Sequence, residues 1–393
     1  MAGRVPVASY VIGAYALGYY ELLMFVLTLR CAELGFSLAE IGIVVGVGGL
    51  GSAVLAIPLG GLVDRYGPRT AFIATTAATG VLSLALTLAD GLAAMLVLQF
   101  VVGCTRTMAW VSSQGYVTSV SAPAERATHA GRFGFFVGAG QLLTVLAAGL
   151  VTQVAGARAG FVLGAAYSVV FVLVALPLPA VGAGTRRRAA GGFGEALRLA
   201  RAPGVQTAML LTFSRLWIVS AFSAFMPLIL VGDGVPPAVA GAVIAAKGAV
   251  TTVSSLAAGA LSRRVGLVPL GVASLAAGAL GLALAPWLHG TVPLFVPPVL
   301  VGLAMGLSLP VILATLTVDT AEENRALALS MRESANSTAA TLGPPVVGRL
   351  MLVAGFRGGA LVAAATCALL LASAAVRSRR IGRSASSARS TGV

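Results

Sequence analysis

The chain has 393 residues, of which 58% are hydrophobic and only 10% charged, with a mean hydropathy of +0.98. A water-soluble protein of this length needs a polar surface that these residues cannot build. The net charge of +14 sits on arginines scattered over short connections without interleaved aromatics, which argues against a nucleic-acid groove and for membrane insertion.

Taken in chain order, long apolar runs alternate with short polar turns. Each run is long enough to cross a hydrocarbon core about 30 Å thick at about 1.5 Å per residue. Twelve spans are expected, near 7–29, 39–63, 70–89, 92–117, 131–153, 158–180, 205–231, 237–261, 267–287, 292–318, 327–353 and 358–376. The first, "VASYVIGAYALGYYELLMFVLTL", is too long for a signal-peptide core and contains Glu21, so it reads as a retained span. Cys31, Cys104 and Cys367 lie far apart, and His129 and His289 stand alone, so neither a disulfide framework nor a metal site is expected. No Gly-Lys-Ser/Thr phosphate loop is present; direct ATP drive is excluded for this chain, and no cofactor is expected.

The longest polar interval, residues 182–204, divides the spans six and six. The expected organisation is therefore an N-terminal bundle (1–181), a linker (182–204), a C-terminal bundle (205–376) and a disordered basic tail (377–393). Placing both termini in the cytoplasm puts Arg65, Arg69, Arg126, Arg132, Arg186 to Arg188, Arg263, Arg264 and the tail arginines inside. Only Arg30, Arg158, Arg349 and Arg357 are left outside.

Between spans two and three lies the charged turn "GGLVDRYGPR" (Gly60 to Arg69), and "GALSRRVGLV" (Gly259 to Val268) repeats it in fainter form. Asp64 and Arg263 hold matching places, and 263 − 64 = 199. The same offset aligns Thr118 to Ala127 with Thr317 to Ala326, and Gly103 with Gly302. One offset shared by several loops indicates two equivalent halves. Gly60 permits close helix approach and Gly67 a tight turn. Asp64 can accept from helix N-termini and pair with an arginine. Such a cluster, with Arg65, Arg69, Arg263 and Arg264, can gate the cytoplasmic side; the alternative is a plain topological stop.

Twelve spans in two halves, with Gly60, Leu62, Asp64, Arg65, Gly67 and Arg69 in this turn, resemble the major facilitator superfamily. Its signature there is Gly-x-Leu-x-Asp-Arg-x-Gly-Arg-Arg/Lys; Pro68 departs from it. The resemblance implies an all-α membrane protein of two pseudo-symmetric six-helix bundles, acting as a monomer.

Ionisable groups at bilayer depth cost about 2.5–3.5 kcal/mol each on insertion scales, so each needs a reason. Four stand out: Glu21 in the first span, Arg106 in the fourth, Arg215 in the seventh and Lys247, the lone lysine, in the eighth. Snorkelling or a fixed structural ion pair is the alternative for each. Gln141, Trp110, Trp217 and Asn336 are further candidates for a central cavity, or for helix-to-helix hydrogen bonds and packing. Asn336 ranks above Arg332, which stands one turn away on the same face. An acid in the first span with an arginine in the fourth resembles the drug/proton antiporter branch. There the acid is implicated in proton and cation binding and the arginine in coupling. "TMAWVSSQG" after Arg106 and a fifth span without Gly-Pro depart from that branch, whereas "LGPPVVG" (Leu342 to Gly348) falls in the eleventh span.

One central acid against three bases favours an anionic or polar substrate. The expectation is a proton-coupled secondary transporter in a bacterial cytoplasmic membrane, surrounded by lipid and exporting a small organic molecule by alternating access. Uptake of a small anionic nutrient is the main alternative, and a membrane-embedded enzyme or sensor a remote one.

Overall fold

A computed structural model describes residues 5–122, 125–180, 198–290, 292–318, 320 and 325–390. The described chain is helical throughout its long elements. The first span is a short helix, Val7–Val11, joined through Ile12 to Gly13–Glu33. Leu38–Tyr66, Pro68–Thr87 and Leu92–Val120 form the second to fourth spans. Arg126–Ala175 supplies the fifth and sixth, bent at Gly156. Pro203–Gly232, Pro237–Val265 and Leu267–Leu284 are the seventh to ninth. A single 3₁₀ turn, Pro293–Phe295, leads into Val296–Val318, the tenth. Arg325–Ser390 bends at Gly355 and supplies the last two. Nine helices among the described residues are long and apolar enough to cross a membrane; the two bent ones count twice, and Leu38–Tyr66 brings the total to twelve.

Local chemistry sets the ends. Ser37 caps the second span: its hydroxyl accepts from the Glu40 backbone N–H, and its own N–H donates to Glu40 Oε2 at 2.8 Å. Pro68, Pro203 and Pro237 each open a helix, where a missing N–H costs nothing. Gly67 turns the chain from the second span into the third with φ 80° and ψ 149°, a conformation essentially restricted to glycine.

The two halves repeat at the backbone level. Left-handed glycines pair as Gly35 with Gly234, Gly67 with Gly266, and Gly156 with Gly355. Each pair differs by 199, the offset of the charged turns. The first span is the most enclosed and the seventh comes next, which places both at the centre of the bundle.

Two differences from the sequence reading concern segment ends. The last helix runs to Ser390, fourteen residues past the expected end at 376, where a disordered tail was expected. The segment contains no proline, so no residue in it forces the backbone out of the helix, although Gly382 and five serines are weak helix formers. The seventh span begins at Pro203, so 203 and 204 are helix and not linker; 182–197 lie outside the described residues.

Candidate functional site

The halves meet along two helix pairs, and small residues mark the contacts. Between the second and eleventh spans, Gly42 lies against the Pro344 carbonyl, Gly46 against Pro345 and the Thr341 carbonyl, and Gly49 against Thr341 and Ala340. Between the fifth and eighth, Gly149 lies against Pro237 and Gly241, and Gly138 against the Thr252 hydroxyl. A Cβ at most of these glycines would collide with backbone atoms, the close approach that small residues allow in membrane bundles.

Both seams end partway along. On the fifth span Gly134 and Gly131 continue the face that carries Gly138, yet among the described residues no neighbour lies within 4 Å of a Cβ placed on either. On the eighth, Leu256 is 83% exposed where the seam would continue. Thr338 is exposed on the eleventh span one turn before Thr341, and Glu333 and Ser334 about two turns before Ala340. The halves are thus closed at the end of Ser37 and Pro237, and splayed at the end of Gly67 and Gly266.

Just inside the closed part sits a buried ion pair. Lys247 Nζ donates to Glu21 Oε1 at 2.7 Å; the side chains are 6% and 5% exposed. The same Nζ reaches Ser223 Oγ at 3.2 Å and lies 5.7 Å from the Phe222 ring centroid. Glu21 comes from the first span, Lys247 and Ser223 from the eighth and seventh, so the pair joins the two halves. Gly302 packs on the Lys247 carbonyl as Gly103 packs on that of Gly48, and 247 − 48 = 302 − 103 = 199. Lys247 is therefore the counterpart of Gly48: the charge belongs to one half alone.

Glu21 pairs with Lys247 and not with Arg106, the arginine of the fourth span. Arg106 lies over the Tyr20 ring, 4.9 Å from its centroid, because adjacent helical residues diverge by about 100° and Tyr20, not Glu21, points to the fourth span. Around it Tyr20, Gln99, Gly48, Gly49 and Ala340 enclose a cavity of about 30 Å³, room for a water or two. The Gln99 carbonyl oxygen is buried there without a partner among the described residues.

A third polar group lies between the seventh and eleventh spans. Arg332 Nη2 donates to Glu333 Oε2 at 2.7 Å, and Asn336 Nδ2 donates to Glu333 Oε1 at 3.1 Å. Arg215 stands within electrostatic reach of Arg332 and Glu333. Buried Nε atoms of Arg215 and Arg332 and the buried Asn336 Oδ1 have no partner among the described residues.

The remaining candidates separate. Gln141 lies at the seam beside Gly248. Trp217 is packed within the C-terminal half, its indole N–H donating to the Ala363 carbonyl at 3.1 Å. Trp110 packs on Phe133, near the splayed end. Of the charged turn, Arg69 donates to the Leu176 carbonyl at the end of the sixth span, Arg65 lies over its neighbour Tyr66, and Arg263 and Arg264 are exposed. The side chain of Asp64 and the surroundings of Gly60 lie outside the description. Gln99 and Ser223 are not among the sequence candidates, and Glu333, which helix geometry rotates off the face of Arg332 and Asn336, nevertheless accepts from both. Gln99 is a polar side chain in mid-span, the same signal that marked Gln141, whereas Ser223 is one serine among several. His129, read as solitary, is buried and bonded to Tyr10 Oη at 2.5 Å and to Glu125 at 3.3 Å.

The sequence matches the family model described as Major Facilitator Superfamily over residues 10–323 and 208–391. No curated protein matches it significantly in sequence. The fold superposes on a point mutant of the nucleoside transporter NupG with a TM-score of 0.80 at 16% identity, covering 94% of this chain and 98% of that one. It also superposes on a bacterial homologue of the human lysosomal transporter Spinster, in an inward-facing and unoccupied conformation. The TM-score there is 0.76 at 18% identity, covering 95% and 97%. With twelve spans in two repeated halves and a family match over most of its length, the chain belongs to the Major Facilitator Superfamily.

Proposed function

We propose that the protein is a proton-coupled symporter that brings a small organic anion across a bacterial cytoplasmic membrane by alternating access, as a monomer with both termini inside. The observation that carries this reading is the buried Glu21–Lys247 pair between the halves.

The argument is one of charge. A dry, closed site tolerates a neutral centre far better than an unpaired ion. Empty, the centre is neutral: one carboxylate, one ammonium. A proton alone would leave Lys247 uncompensated, and an anion alone would leave an excess negative charge. Proton and anion together restore neutrality, with Glu21 protonated and Lys247 paired to the anion. Only the empty and the doubly loaded carrier then close readily, which is the rule for obligatory symport. Export by exchange requires instead that the empty carrier not close, and a neutral empty centre does not supply that block. The uptake alternative is therefore favoured over export. The arginine-rich end, taken as cytoplasmic, is the splayed one, so the conformation reads as inward-open with the charged turns disengaged. The nucleoside transporter among its structural neighbours supports a small polar solute. Because the empty and the doubly loaded centres are both neutral, the pH gradient and not the membrane potential drives the cycle.

The test is flux in proteoliposomes holding a pH dye, challenged with a panel of small carboxylates under an inward proton gradient. Anion-evoked acidification is expected in the wild type. Glu21→Gln should exchange anion for anion but lose net proton-driven uptake, because its empty centre carries the unpaired Lys247. Net proton-driven uptake by that variant would overturn the reading.

A further inference from the structure

The anion needs a way from the splayed mouth to Lys247, and the open surface of the C-terminal half offers one. Arg332 and Asn336 stand one turn apart on the eleventh span. Both hold the same carboxylate, that of Glu333, through Nη2 at 2.7 Å and Nδ2 at 3.1 Å. Glu333 is 52% exposed on the splayed side, whereas the Arg332 side chain is only 17% exposed. The pair is thus a recessed donor set capped by a carboxylate that solvent can reach.

The buried atoms left over say what else would fit. Among the described residues, Nε of Arg332 and Nε of Arg215 have no acceptor and Asn336 Oδ1 has no donor. Buried polar atoms are normally satisfied, so three open ones on the seventh and eleventh spans, which pack side by side at Gly343 and Trp217, point to a ligand position. Two guanidinium groups within reach of each other repel unless an anion stands between them. A carboxylate meets the donors, and a hydroxyl on the adjoining carbon meets Asn336 Oδ1. Arg215 lies eight residues before Ser223 on the seventh span, about 12 Å along the helix. The group therefore stands about two turns nearer the open mouth than the ammonium of Lys247, which Ser223 touches.

We propose that Arg332, Asn336 and Arg215 form a receiving site for small hydroxycarboxylates, and that Glu333 occupies it as a tethered stand-in until the substrate's own carboxylate displaces it. This names the substrate class of the symporter proposed above and rests on that reading for its place in transport, but binding itself does not depend on coupling.

The experiment is equilibrium binding of radiolabelled lactate to purified full-length protein in detergent at neutral pH, with unlabelled propionate and lactamide as competitors. Glu333→Gln keeps the shape of the side chain but frees the guanidinium groups, and should bind lactate about tenfold more tightly than the wild type. Arg332→Gln and Arg215→Gln should each lose about tenfold or more, and Arg215→Lys less than Arg215→Gln. Propionate should compete about tenfold less well than lactate, and lactamide not at all. Unchanged or weaker lactate binding by Glu333→Gln, or competition by lactamide equal to that by lactate, would overturn the receiving site. Equal competition by propionate would overturn the hydroxyl assignment. Run in the Glu21→Gln background, the same measurements separate the two proposals. Binding that persists while net proton-driven flux is lost supports both; loss of binding overturns the receiving site, and net proton-driven flux that persists overturns the symport reading.

Discussion

Glu21 and Lys247 are 226 positions apart in the chain and 2.7 Å apart in the fold, in a layer from which water is largely excluded. Removing one partner leaves the other charged and buried, which costs about 3–5 kcal/mol in comparable sites. Glu21→Ala and Lys247→Ala should each lower the thermal midpoint in detergent strongly, and Glu21→Ala with Lys247→Met should recover most of the loss. If the double variant is as unstable as the sum of the singles, the two residues do not act as a pair.

Gly42 packs on the Pro344 carbonyl across the closed seam, with no room for a Cβ. Gly42→Val should wedge that end apart at a cost of about 1–3 kcal/mol, moving the balance between the two openings about tenfold or more toward the opposite one. Spin labels at the ends of the second and eleventh spans near Ser37 and Arg349 would report it as a longer distance population. An unchanged distribution would mean that the seam is not a steric lock.

Gly67 and Gly266 turn the chain in the same way in the two halves, with φ 80° and 93°. Alanine at either position is strained by about 1–3 kcal/mol, and Gly67→Ala and Gly266→Ala should lower the melting temperature by similar amounts. A neutral effect at either would show that the turn relaxes into another conformation.

Outside the membrane layer, Asp90 accepts from Arg30 at 2.6 Å and from Arg158 at 2.8 Å, tying the ends of the first and sixth spans together. Hydrogen bonding to Arg158 first, and to Arg30 next, holds its carboxyl below the usual range. A depressed native value means that the clamp's stabilisation is fully present above the ordinary carboxylate value and disappears as pH falls through the native one. Asp90→Asn should therefore lower the melting temperature at pH 7, and its difference from the wild type should narrow only below about pH 4. A difference that fades between pH 5 and 7 would contradict the assignment.

The apolar runs made the spans legible because a helix in lipid satisfies its own backbone and needs no partner to be recognised. The repeat was legible for a similar reason: the Gly67 and Gly266 turns admit little but glycine, so they persist where side chains change. Faces were not legible. The spans are apolar nearly all round, so the rotation that turns Tyr20 toward Arg106 and Glu21 toward Lys247 leaves no periodic trace. Lys247 stood out as a buried charge, but its partner lies in the other half, and only the assembled seam brings them together. Trp217 shows the converse: a large polar-tipped side chain in mid-span whose N–H is used up inside its own half.

The corner glycines also bear on ancestry. A duplicated chain that keeps its bends at a fixed interval of 199, while a lysine stands opposite a glycine at the heart of the copy, has conserved its skeleton and let its chemistry drift. Kinship to such a protein is better sought in where the main chain changes direction than in which residues it carries.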